Sequence, residues 1–358
     1  MPSNLAFAES FGSKLCPTEP IAPLQVFSTC PSSLTTPDDY ISRVASVARW
    51  SEQAGCTGIL VYTDNSLVDP WLTSQIIIQS TQSLCPLVAV QPVYLHPYIV
   101  AKMVSTFGFL YGRRVFLNMV AGGFKKDLEA LNDSTPHDKR YDRLVECTQL
   151  IQCLLQGRTV TFAGTYYQVN NLALSPKLSP QLLPGFLMSG SSDAGMEAAK
   201  KTGATAVEYP EPPGRKRPDT HNRDTSLGIR IGILARPGTD EAWSVALNRF
   251  PEDRKGQLTR QVATKVSDST WHHRISELAA DSSLSDDGKP RDTYWLRPFE
   301  NYQSNCPYLV GSYDDVAEVL ASYVALGYRT FILDIPADEL EFEHIGTAFQ
   351  STTRRVRP

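Results

Sequence analysis

The 358-residue sequence has no apolar run near the length that a membrane-spanning helix needs, roughly 18–20 residues. It has no excess of either charge. Lys and Arg number 34 against 38 Asp and Glu, a net charge of -4, so nothing in the balance draws the chain to nucleic acid or anionic lipid. The one basic run, Arg215-Lys216-Arg217, is bracketed by Pro212, Pro213 and Pro218 and reads as a solvated loop. Cysteine is sparse, seven in all, with no C-x-x-C pair. A scattered, odd set argues against a disulfide framework and for reduced, buried thiols in a cytoplasmic protein. The start of the sequence lacks a basic segment followed by an apolar one, so no secretory signal is expected. Also lacking are H-E-x-x-H, a Walker loop and G-x-S-x-G. His272 and His273 are adjacent on an expected helix and point to different faces, which speaks against a metal site; none is expected.

What is present is globular composition, 42% hydrophobic and 20% charged, on a chain long enough to bury a large core without staples. Residues 1–23 show no periodicity and read as an extended arm. Residues 24–358 form the body, where short β-rich runs alternate with amphipathic stretches. The expected strands are Leu24–Cys30, Gly58–Thr63, Leu87–Pro92, Arg114–Val120, Gly185–Ser189, Ala204–Tyr209, Leu227–Ala235 and Thr330–Ile335. They are continuous apolar runs, the pattern of strands buried on both faces of a parallel sheet. Eight such strands alternating with helices predict an α/β fold of the TIM (β/α)8 barrel type. An open doubly wound sheet is the alternative, but its G-x-G-x-x-G is missing after the first strand, where Pro31-Ser32-Ser33 stands. Two insertions break the alternation. Thr159–Leu174 reads as a hairpin turning at Gly164, before the fifth strand. Asp281–Tyr308 is polar, then aromatic at Tyr294, Trp295, Phe299, Tyr302 and Tyr308, and reads as a long lid loop before the last expected helix, Asp314–Leu326.

In a barrel of this kind the site lies at the C-terminal strand ends. The polar residues expected there are Thr29, Ser33, Thr63, Asp64, Gln91, Asn118, Ser189, Ser191, Ser192 and Asp334. Ser189-Gly190-Ser191-Ser192 joins a strand directly to a helix. Either its hydroxyls cap that helix, or they form an anion pocket at its N-terminus. Asn118 lies in an apolar strand and needs partners, whether a backbone group or the polar edge of a heterocycle. Arg230, between Ile229 and Ile231, requires an anionic ligand or a structural carboxylate. Cys147 and Cys153 read as core. Cys30 near a strand end is a weak nucleophile candidate without an adjacent base.

Four stretches then stand out in order: FLNMVAGG (Phe116–Gly123), HDKRYDRLVE (His137–Glu146), the hairpin TFAGTYYQV and the loop SGSSDAG. Together they make the chain resemble the bacterial luciferase-like flavin monooxygenases, nearest the alkanesulfonate monooxygenase group, from about Val26 to Phe349. The resemblance implies a barrel that uses reduced FMN and O2 through a flavin peroxide to oxygenate a small organic substrate. A specialised-metabolite intermediate and an alkanesulfonate-like anion are the candidates. It also implies an NAD(P)H:flavin reductase as partner and a homodimer or homotetramer. Carried over by position, Tyr141, Ser191 and Ser192 hold the flavin phosphate. Asn118 and Gln91 lie near the ring, with Ser189 and Gly190 beside them. Arg230 is the catalytic candidate, and Ser33 and Trp295 are substrate-side candidates. The substrate side departs from the sulfonate-oxidising pattern: Ser33 and Gly232 stand where those relatives have histidines, and Leu67 where they have a cysteine. Two other readings follow from the same barrel, a deazaflavin-dependent oxidoreductase and a catalytically silent flavin-binding protein.

Overall fold

A computed structural model of the chain describes residues 23–33, 36–214, 225–265, 275 and 292–356. Its strands, in chain order, are β1 (Gln25–Thr29), β2 (Gly58–Val61), β3 (Cys85–Val90), β4 (Phe116–Val120), β5 (Val160–Ala163), β6 (Gln168–Leu172), β7 (Phe186–Ser189), β8 (Thr205–Glu208), β9 (Leu227–Arg236), β10 (Tyr294–Trp295), β11 (Tyr308–Ser312) and β12 (Tyr328–Leu333). Eight of them close into a ring, β1-β2-β3-β4-β7-β8-β9-β12, with β12 back on β1. Every pairing in that ring is parallel. The fold is a TIM barrel, and all eight expected strands are its staves.

The helices lie outside the ring, and their starts are written into the sequence. Pro37, Pro70 and Pro97 open three of them, after Thr36, Asp69 and His96, whose side chains accept from the first turn. Proline there loses no hydrogen bond, because the first N–H groups of a helix have no partner in any case. The outward strand residues, among them Val88, Leu117, Met119, Ile229, Ile231 and Phe331, pack with helix residues such as Val104, Leu144 and Leu320. The inward set, Phe27, Leu60, Leu87, Phe116, Leu187, Val207 and Ile332, fills the barrel itself.

The hairpin insertion is present as antiparallel β5 and β6. Its turn is held by Glu146, which accepts from the backbone N–H of Thr165 and Tyr166 (both 2.9 Å) and Tyr167 (3.3 Å). Two of the sequence stretches singled out above are thus one structural unit.

β9 is twice as long as most staves. Leu227–Ile231 pairs with β12, and Gly232–Arg236 pairs with β11, which carries β10 on its far edge. This side sheet corrects the lid reading for the described part of Asp281–Tyr308. Tyr308 opens a strand, and Trp295 packs edge-on against Trp243 and Phe250 in a second core. The polar residues 281–291 of that expected lid lie outside the described residues, as do 1–22 of the expected arm, Arg215–Arg217 and His272-His273. The final helix, Glu339–Val356, was not anticipated from the sequence. Cys30 is buried, and burial pushes its thiol up to about 12, so it stays protonated and is no nucleophile.

Glu52, near the end of the first helix, ties the approach to β3 by accepting from the N–H groups of Gln82, Ser83 and Leu84 and from the Ser83 hydroxyl. Burial raises its carboxyl, but these hydrogen bonds outweigh that effect and bring it from 4.5 to about 2. A carboxyl depressed in the folded state stabilises the fold above its unfolded value, and the contribution drains away as pH falls toward the folded one. Glu52→Gln should therefore lower Tm at pH 7 by about 1–2 °C, a partly exposed group giving a modest effect. The gap from the parent protein should close as the pH of thermal melts is taken from 4.5 down to 2.

Candidate active site

The mouth of the barrel is built by a period of two. Along each stave an inward apolar residue is followed, two positions later, by a residue at the C-terminal end on the same face. Leu60 leads to Tyr62, Ala89 to Gln91, Phe116 to Asn118, Leu187 to Ser189, Val207 to Tyr209 and Gly228 to Arg230. These end residues line a cleft of about 310 Å³ over a floor of Leu60, Ala89, Val207 and Ile332. Thr63, Asp64, His137, Arg140, Tyr141, Gly190 and Asn305 complete much of its wall.

At one end lies the serine loop. The Ser189 hydroxyl donates to Asn118 Oδ1 at 2.9 Å, so the buried amide oxygen is satisfied. Gly190 has φ +154, and a Cβ there would overlap the Tyr141 hydroxyl. Tyr141 is buried; burial pushes its phenol above the ordinary value despite a hydrogen bond with Ser192. Ser192 caps the helix Asp193–Thr202, accepting from Gly195 N–H at 3.2 Å. The capping reading of the loop holds for Ser192, while the Ser191 Oγ is buried without a hydrogen-bond partner. An orphaned hydroxyl at a helix N-terminus, next to a cleft wall that includes buried Arg140, is a donor set that could hold a phosphate.

At the other end Arg230, 7% exposed, lies with its guanidinium 4.8 Å from the centre of the Tyr62 ring and 3.7 Å from Asp334 Oδ1. Its Nε finds no hydrogen-bond partner. Asp334 follows β12 directly and accepts from the Ser304 hydroxyl at 2.6 Å and the Tyr308 hydroxyl at 2.8 Å. Burial pushes the Tyr308 phenol well above its ordinary value, with the Asp334 charge adding to it, so Tyr308 serves as a neutral donor. The Tyr308 ring fills the space a side chain at Gly232 would need.

Of the residues expected from the sequence, Gln91, Asn118, Tyr141, Ser189, Gly190 and Arg230 line one cleft, and Ser191 and Ser192 continue from it into the helix. Two expected substrate-side residues do not. Ser33 is exposed, and its neighbour Ser32 lines the cleft in its place. Trp295 belongs to the side-sheet core, where Trp243 and Phe250 occupy its ring faces. Tyr62, Tyr209, His137, Arg140 and Asn305 were missed. The first two were readable by stepping two residues along each strand from its apolar floor.

Comparison with known proteins gives three findings. Residues 25–330 match the family described as luciferase-like monooxygenase. The chain is 33% identical over 324 residues to the 4-(gamma-L-glutamylamino)butanoyl-[BtrI acyl-carrier protein] monooxygenase BtrO of Niallia circulans, covering 89% of this chain and 93% of that one. Among solved structures, riboflavin lyase RcaE, determined with modified FMN and riboflavin, superposes with a TM-score of 0.72 at 15% identity, covering 94% of this chain and 93% of that one. EDTA monooxygenase EmoA of Chelativorans sp. BNC1 does so with 0.68 at 14% identity, covering 94% and 95%.

The contact between Gly190 and Tyr141 can be tested by stability alone. Gly190→Ala should cost about 1–3 kcal/mol, from overlap and from a φ that L-residues avoid. Removing the obstructing hydroxyl should recover part of that cost. In a denaturant-unfolding cycle, Gly190→Ala with Tyr141→Phe should be less destabilised than the sum of the two by at least about 0.5 kcal/mol. Strict additivity would mean that the hydroxyl does not lie against the Gly190 backbone.

Proposed function

This chain belongs to the luciferase-like monooxygenase family, and from that premise we propose that it is an FMNH2-dependent monooxygenase that oxygenates a small organic substrate with O2. The observation that carries the cofactor reading is the orphaned Ser191 hydroxyl beside the glycine cradle at the start of the helix Asp193–Thr202. Ser191, Ser192 and the helix N-terminus hold the phosphate, with Tyr141 and Arg140 alongside. Asn118 and Gln91, buried on neighbouring staves, offer amide groups to the polar edge of the ring. When bound, the reduced flavin supplies the activation of O2, and a separate reductase supplies the reduced flavin.

The chain's own residues set the surroundings of that chemistry. The floor of Leu60, Ala89, Val207 and Ile332 keeps water from the inner end of the cleft. Arg230 lines that cleft and orients the substrate. A specialised-metabolite intermediate fits this reading, and the acyl group on which BtrO acts supports it as a substrate of that kind.

Ser191→Ala with Ser192→Ala should weaken reduced FMN by at least about tenfold in anaerobic titration, each charge-assisted bond to phosphate being worth about 1.5–3 kcal/mol. Arg230→Ala should keep flavin affinity and lose turnover, with Arg230→Lys also poor, since a point charge does not replace a fork of donors. Unchanged affinity in the serine double variant would remove the phosphate assignment. Tight binding of a reduced deazaflavin in place of FMN would transfer the reading to hydride chemistry that needs no O2.

A further inference from the structure

Arg230 is a cation in an apolar stave, and its surroundings already supply it with an anion. Its inward neighbour on β9, Gly232, marks the point where β9 exchanges β12 for β11 as partner, with Leu333 paired to Ile231 and Tyr308 to Gly232. That exchange brings the residue after Leu333 and the first residue of β11 together beside Arg230. The residue after Leu333 is Asp334, 3.7 Å from the guanidinium. Tyr308 and Ser304 each donate to one Asp334 oxygen, Oδ2, and leave Oδ1 facing Arg230. The carboxylate is thus fixed in place by two hydroxyls. Asp64, two residues beyond Tyr62, adds a second carboxylate to the rim, where it accepts from Ser66. The remaining cationic candidates in the cleft wall, Arg140 and His137, belong to the Tyr141 end, where the His137 ring meets Tyr141 edge-on.

We propose that Asp334 determines specificity at the substrate end: by neutralising Arg230 it makes the cleft select an uncharged acyl group, whose carbonyl oxygen accepts from the Arg230 guanidinium lining the cleft, over a sulfonate or free carboxylate. This deepens the monooxygenase reading and rests on it only in taking the Arg230 end as the place of the substrate. The physical reasoning is a balance of two requirements. A guanidinium beside a single carboxylate still has N–H donors that call for an acceptor, which a neutral carbonyl satisfies. A further anion would meet a pair whose charges already cancel, with Asp64 adding repulsion.

The test uses hexanamide and hexanesulfonate as probes of equal chain length, with binding to the full chain read by ligand-observed NMR. The parent protein should bind hexanamide at least about tenfold more tightly than hexanesulfonate. Asp334→Asn should raise hexanesulfonate affinity by about tenfold, and the gain should vanish in the double variant with Arg230→Ala, which separates this site from the phosphate pocket. Equal binding of the two probes by the parent protein overturns the proposal, and so does an Asp334→Asn variant whose sulfonate affinity is unchanged. Should Asp334→Asn fail to fold, the parent preference decides by itself. Reduced-FMN titration of the same preparations keeps the two readings apart. A chain that takes no FMN yet prefers the amide loses the oxygenase reading and keeps this one.

Discussion

Closure of eight parallel strands into one ring is the constraint on which everything else in this molecule depends. A closed barrel has no free edge and gives each strand one face inward and one outward, alternating with a period of two. Once Phe27, Leu60, Leu87, Phe116, Leu187, Val207 and Ile332 are committed to the interior, the residue at the mouth of each stave is fixed by counting. The cleft is therefore assembled from residues that are neighbours in space only because their strands are: Tyr62, Gln91, Asn118, Ser189, Tyr209 and Arg230 come from six different strand ends. A slip of one residue in any stave would bury its polar end residue against a helix and aim an apolar one at the cleft.

One stave runs on beyond the closed ring, and there the Arg230 end of the cleft acquires its character. β9 runs on past its barrel partner and recruits β11. In a barrel of uniform strands, Arg230 would look out on solvent and loops. Here the extension brings Tyr308, with its own core of Trp243, Phe250 and Trp295, against the barrel mouth. The residues there form a connected set. Gly232 leaves room for the Tyr308 ring, and Tyr308 donates to Asp334, whose other oxygen faces Arg230.

The architecture was legible because parallel staves, buried on both faces, leave apolar runs that little else in a sequence imitates. Leu227–Ala235 and Arg114–Val120 stood out for that reason. The place of the serine loop and of Asn118 at the mouth was legible as well, since each puts polar residues at the C-terminal end of such a run. Tyr62 and Tyr209 could be reached by counting two residues on from the apolar floor, but an aromatic at the end of an apolar strand reads first as more core. Trp295 failed for the converse reason: an aromatic in a long polar-to-aromatic stretch resembles the underside of a cover, whereas its partners Trp243 and Phe250 lie more than 40 residues away and no local pattern announces them. Arg230 could be identified as needing an anionic partner, but not which one. Asp334 pairs with it through a strand register that is set over a hundred residues apart.

The two ends of the cleft share a device. At each, a glycine at or near the end of a stave lets a tyrosine ring from another element lie where a side chain would be, and so sets a hydroxyl at a fixed point. Tyr141 lies over Gly190 and reaches Ser192; Tyr308 lies over Gly232 and reaches Asp334. Glycine inside regular structure costs roughly 0.5–1 kcal/mol in backbone entropy, and a buried phenol must keep its hydrogen bond, so neither arrangement is favoured for stability alone. What each provides is a donor held by a rigid ring on a rigid strand. A flexible serine or lysine at the same place would have to be ordered each time a ligand bound. Both tyrosine hydroxyls are accordingly fixed at the two ends of the cleft before anything enters it.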